Sequence, residues 1–130
     1  MRLLAAAWLL AAAAPAAHHS ISAVYDSRKP VTVTGRVREF QFVNPHPWIG
    51  LDVTSDEGVR QWRLELDNRW ELVDIGMTAG TFKPGDVIVA TGSSGRDGAR
   101  AVYVLRLDRA ADGLHYEQNG PSPSLRFAPR

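Results

Sequence analysis

Between Pro30 and Asn44 the chain reads VTVTGRVREFQFV, and its apolar alternation changes phase partway along. Val31, Val33 and Val37 share one parity, with Gly35 between them, whereas Phe40 and Phe42 fall on the other. Side chains alternate strictly across a strand, so one residue out of step turns every later side chain to the opposite face. A slip of this kind close to a glycine is what a β-bulge or a sharp bend produces. A strand that curls in this way serves two sides of a closed barrel, and a flat sheet has no use for it.

The remaining segments fill in the same architecture. NPHP (Asn44 to Pro47) ends the first strand, because neither proline can donate to a central ladder. WIGLDV follows, with Ile49, Leu51 and Val53 on one face. SDEG (Ser55 to Gly58) has hairpin composition, and VRQWRLEL returns with Trp62, Leu64 and Leu66 inward. In DNRWELVDIG, Asp67 or Asn68 can cap a short helix. Asn68 and Glu71 stand at capping-box spacing, and Gly76 suits the left-handed stop. KPGD launches VIVATG, SSGRDG connects, and ARAVYVLRL is the last expected strand.

Three strands, a short helix and two strands is the chain order of the OB-fold. The expectation is therefore an all-β domain with one short helix, a five-stranded OB-fold-like antiparallel barrel (β1-β2-β3-α-β4-β5) over residues 31–108. A plain antiparallel sandwich is the competing architecture. Residues 109–130, rich in Gly, Pro, Ser and Asn, are expected to form a flexible C-terminal tail, with His115 exposed and incidental.

Residues 1–16 have signal-peptide anatomy: Arg2, an apolar run from Leu3 to Ala14, and small residues at Ala14 and Ala16. The run of about twelve residues falls short of the roughly 20 that span a bilayer, so no transmembrane anchor is expected after cleavage. The expected location is across the inner membrane, in the periplasm. The chain has no cysteine, which removes lipoprotein attachment, disulfides and thiolate metal sites together. Net charge is +1 and falls to about zero once Arg2 is removed, which argues against nucleic acid as a partner.

The combination Ala17-His-His-Ser20, Asn44-Pro-His46-x-Trp48 and Lys83-Pro-Gly-Asp86 resembles a family of small exported bacterial proteins of unknown function. Those proteins carry AHHS after the leader, then PVTLTG, NPHxW and LKPGD. The resemblance spans roughly Ala17 to Leu107 and implies export and an OB-like barrel; it brings no activity with it. Ile21 and Pro47 depart from the family pattern, which commonly has phenylalanine and an aliphatic residue there.

Candidate chemistry concentrates on histidines. Cleavage before Ala17 leaves Ala-His-His at the start of an N-terminal arm, residues 17–30. A free amine, two backbone amides and the His19 imidazole then supply four nitrogens in a plane, the arrangement that Cu(II) and Ni(II) prefer. Cleavage after Ala17 places the amine and imidazole on His18 instead. His46, stiffened between Pro45 and Pro47 in a ligand-side loop, is the candidate third ligand, with Asn44 and Trp48 lining that loop. An arm extended at roughly 3.3 Å per residue reaches it easily. The expectation is a binding protein rather than an enzyme, since no nucleophile elbow or Ser-His-Asp order appears. Copper or another divalent metal is the leading ligand. The alternative is a metal-free envelope module for a small molecule or an unknown envelope protein, with structural histidines.

Overall fold

A computed structural model describes residues 20–129, and the fold it shows is built mainly of β-strands. A one-turn helix, α1 (Ile21–Val24), opens on Ser20, whose hydroxyl accepts from the Ala23 amide. It leads into β1 (Tyr25–Gln41), followed by β2 (Trp48–Ser55), β3 (Gly58–Glu65), α2 (Arg69–Asp74), β4 (Val87–Gly95) and β5 (Ala101–Arg109). Two short strands close the chain, β6 (Leu114–Glu117) and β7 (Ser124–Arg126).

The strands lie in the order β3-β2-β1-β4-β5-β6-β7, and a parallel pairing of β3 with β5 joins the first five into a hydrogen-bonded ring. Every other pairing is antiparallel. The ring is barrel-like, and the three-strands-helix-two-strands order matches the sequence reading.

The phase slip in β1 is a bulge. Val37 faces Leu51 but Glu39 faces Gly50, so Arg38 is the extra residue. The first part of β1, up to Arg36, pairs with β4, and from Arg36 through the bulge to Gln41 it pairs with β2. The KPGD turn is fastened to the bend: Val37 N–H donates to Asp86 O and Gly85 N–H to Val37 O. Gly35 is required at the crossing, because a Cβ there would sit 2.4 Å from the Asp52 carbonyl oxygen.

Inside the ring, Val33, Val37, Ile49, Leu51, Leu64, Ile88, Val102 and Leu107 are buried. Leu72 of α2, with Met77 and Phe82 after it, joins this core. Phe40, Phe42 and Trp62 are half-buried against it, and Phe40 meets Phe82 edge-on at 5.1 Å. Asn68 caps α2 by accepting from Glu71 N–H at 3.0 Å, and Gly76 at φ 88° ends it.

Four expectations need correction. β1 begins at Tyr25 rather than after Pro30, so the last six residues of the N-terminal arm are strand, with the pairing interrupted between Asp26 and Pro30. Ser93 to Gly95 belong to β4 rather than to a connecting loop, and the helical content includes α1 as well as α2. The segment after Asp108 is not a free tail. Leu114 and Tyr116 are buried, β6 pairs with β5 and β7 pairs with β6. The second half of β5 lies beyond its pairing with β3, and β6 takes that vacant edge.

Candidate functional site

His46 lies in the loop between β1 and β2 and is held from the other side by the end of β3. Its Nδ1 is 3.1 Å from Leu66 O, and since a carbonyl only accepts, Nδ1 carries the proton and donates. That fixes the ring and leaves Nε2 with a free lone pair. Orientation of an imidazole by a backbone carbonyl is the usual support for a metal-ligating histidine. The loop itself is clamped at three further points. Leu66 N–H donates to Pro47 O at 2.9 Å, Arg69 N–H to Pro45 O at 3.0 Å, and Arg69 Nε to Phe42 O at 3.2 Å.

Asn44 is exposed on the same loop, and its peptide bond to Pro45 is cis. Trp48 opens β2 opposite Glu65, with the Arg63 guanidinium stacked 4.0 Å above its ring. The ring therefore presents a face to an arginine, and the expected wall beside His46 carries a positive cap.

His18 and His19 lie outside the described residues, which begin at Ser20. The chain that follows them is anchored at two places. Arg96 Nε, in the β4–β5 connection, donates to Ser22 O at 3.0 Å. Tyr25 donates its hydroxyl to Glu65 Oε2 at 2.7 Å, one residue before the carbonyl that holds His46. An open cleft of about 310 Å³ beside the anchored arm is lined by Asp26, Lys29, Ser94 and Arg96. Among the described residues no three His, Asp or Glu side chains are grouped to hold a metal ion.

His115 is not the exposed, incidental residue expected. Its side chain is 13% exposed, with Nδ1 2.6 Å from Asp108 Oδ1 and Nε2 3.6 Å from Glu117 Oε2. Asp108 also accepts from Arg106 Nε at 2.8 Å, so a polar chain through Asp108 and His115 ties β6 to β5.

A family model described as a family of unknown function, DUF6152, matches residues 7–103. The chain belongs to that family. The DUF6152 match includes both candidate histidine positions near the start and His46, and it ends at Tyr103, inside β5. The β6–β7 hairpin that completes the core therefore lies past the matched span. No curated protein matches the chain.

A polar cluster that sequence reading missed lies at the end of β3 in this DUF6152 member. Asp67 is buried; its Oδ1 accepts from Asn68 N–H at 2.7 Å, and its Oδ2 has no partner. Asp67 beside Glu71 raises the Glu71 pKa above the usual carboxylate range. Burial, then Asp67 and Glu65, push the Tyr103 hydroxyl up to about 12. Burial first and then the Glu65 hydrogen bond raise Tyr25, and burial followed by Asp67 raises Tyr116. The only sequence sign of this cluster was Asp67 beside Asn68, where both can cap the same helix and only one does.

Proposed function

We propose that this DUF6152 protein is an exported, periplasmic, non-enzymatic binding module that holds a divalent metal, copper foremost, between its processed N-terminus and His46. The observation that carries the reading is the His46 ring, oriented through Nδ1–H on Leu66 O with Nε2 left to coordinate. The arm supports it, since Tyr25 and Ser22 are fixed near the same end of the ring and the two histidines precede them closely in the chain. His18 and His19 supply the amine-proximal nitrogens, in the planar set that copper favours.

Two measurements test this. Intact mass of the exported protein locates the mature start, and copper titration then compares wild type with His19→Ala and His46→Ala. The expected result is a start at residue 17 or 18, tight binding by wild type and clear weakening in both variants. Equal, weak affinity in all three proteins would remove the proposal.

A second reading is a metal-free interaction module. Trp70, 72% exposed on α2 with Val73 exposed beside it, favours this reading. His46→Ala would then lower the melting temperature and leave any metal effect untouched.

A further inference from the structure

His115 on β6 is enclosed and only half satisfied. Its side chain is 13% exposed, and Nδ1 lies 2.6 Å from Asp108 Oδ1. Nε2 is sealed from solvent and has no hydrogen-bond partner among the described residues. Burial pushes the Asp108 carboxyl up, but hydrogen bonds from His115 and Arg106 outweigh it and hold the group below the usual carboxylate range. Asp108 therefore accepts as an anion, and Nδ1 carries a proton. Nε2 then holds either a lone pair or a second proton.

The groups facing the ring decide between the two. On β6 itself, Glu117 Oε2 lies 3.6 Å from Nε2, while Glu117 Oε1 accepts from Asn119 Nδ2. From β5 come Asp108 and Arg106, and Arg106 Nε is taken by Asp108. From β7, Arg126 stands opposite His115, exposed and donating nothing to Nε2. A lone pair on Nε2 would set two acceptors against each other where water does not reach, and an unmade buried hydrogen bond is costly. An N–H there has its acceptor in place. The Glu117 side chain, 32% exposed, is free to close the remaining gap.

We infer that His115 is a pH-operated clip on the C-terminal hairpin: with both ring nitrogens protonated it bridges Asp108 of β5 and Glu117 of β6, and it slackens when Nε2 gives up its proton. The ring is well placed for this. His115 stands opposite Asp108 in one register and opposite Arg126 in the next, at the middle of the three strands. Its chain neighbours Leu114 and Tyr116 are buried on the other face, where Tyr116 meets Leu107. The clip thus fastens, from outside, the strand that covers the half of β5 lying beyond its pairing with β3. The Nε2–H to Glu117 contact exists only while the ring holds two protons. The hairpin is therefore tightest in acid and loosens as pH rises through roughly 5 to 8, the interval in which imidazoles lose their charge. The departing proton goes to water, and Nδ1–H stays on Asp108, so β6 loosens without coming away. Nothing in the clip requires a ligand at His46.

Amide hydrogen exchange on the full chain across pH, corrected for intrinsic rates, tests the clip at Tyr116 and at Gln118, whose amide donates to Leu105 O at 2.7 Å. In wild type the protection of these amides should fall by roughly tenfold as pH rises from about 5 to 8, the effect of one hydrogen bond to a charged partner. His115→Gln, which can still donate to Asp108 but takes up no proton, should hold protection level. Imidazole nitrogen NMR of the unsubstituted protein gives a second readout. Both ring nitrogens protonated at pH 5, with Nε2 alone deprotonating on the way up, supports the clip. A ring holding one proton at pH 5, or protection that stays level while Nε2 titrates, overturns it. Restoration of protection at high pH by added zinc overturns the proton in favour of a metal between Nε2 and Glu117. A failed copper titration leaves all of these outcomes unchanged.

Discussion

The Tyr25 hydroxyl donates to Glu65 Oε2 at 2.7 Å and so ties the first residue of β1 to the last of β3, forty positions apart. Tyr25 is buried, and its ring lies 5.8 Å from that of Tyr103. A hydrogen bond to a charged acceptor contributes about 1.5–3 kcal/mol. Tyr25→Phe, which removes only the hydroxyl, should lower the unfolding free energy by that amount in urea titration. An unchanged midpoint would show that the contact carries no stability.

Gly92 sits at the register shift between β4 and β5. A Cβ on it would lie 1.9 Å from the Tyr103 carbonyl oxygen, so the strands must part to admit any side chain. Gly92→Ala should exceed the usual overpacking cost of about 1–3 kcal/mol and give little soluble protein. Soluble yield and melting temperature against wild type check this.

Tyr116 reports whether the C-terminal hairpin belongs to the core. It is fully buried and stands opposite Leu107. Tyr116→Ala should cost about 3–5 kcal/mol, the range for removing a large buried aromatic. A chain ending at Arg109 should lose cooperative thermal unfolding, whereas a dispensable tail would leave the melting curve as it was.

Asp26 sets the behaviour in acid. Its carboxylate accepts from the Arg28 side chain and amide, which hold its pKa down to about 2, with Arg96 3.7 Å away. A depressed folded-state pKa gives stability that is present above the ordinary carboxylate range and is lost as pH falls toward about 2. Melting temperature followed from pH 4 down to pH 2 should drop less steeply in Asp26→Asn than in wild type.

Some of this was open to reading from residues alone because the signal was local. The bulge showed as Val37 and Phe40 falling on opposite parities, and α2 showed in Asn68 and Gly76, whose cap roles need no distant partner. β6 was hidden for the opposite reason. Leu114 and Tyr116 alternate over only four residues among glycines and prolines, and they become a strand only because the second half of β5 offers an edge. His115 was misjudged along with that segment.

At the candidate site, Pro45 and Pro47 announced a stiff His46, but its partner is a backbone carbonyl twenty residues away, which no motif encodes. The buried, half-satisfied Asp67 carboxylate was masked because Asp67 and Asn68 both fit a helix cap. Trp48 was read as a wall for His46, and its pairing with Arg63 depends on strand register rather than on composition.

The parallel contact between β3 and β5 spans three residue pairs, from Arg63 with Ala101 to Glu65 with Tyr103, and it is the shortest seam in the ring. Under gentle denaturation the cylinder should unfurl there first, with β3 still zipped to β2 along its whole length. Because Glu65 is both the end of that seam and the acceptor for Tyr25, unfurling would strain the Tyr25 tie in the same event, while Ser22 stays held by Arg96.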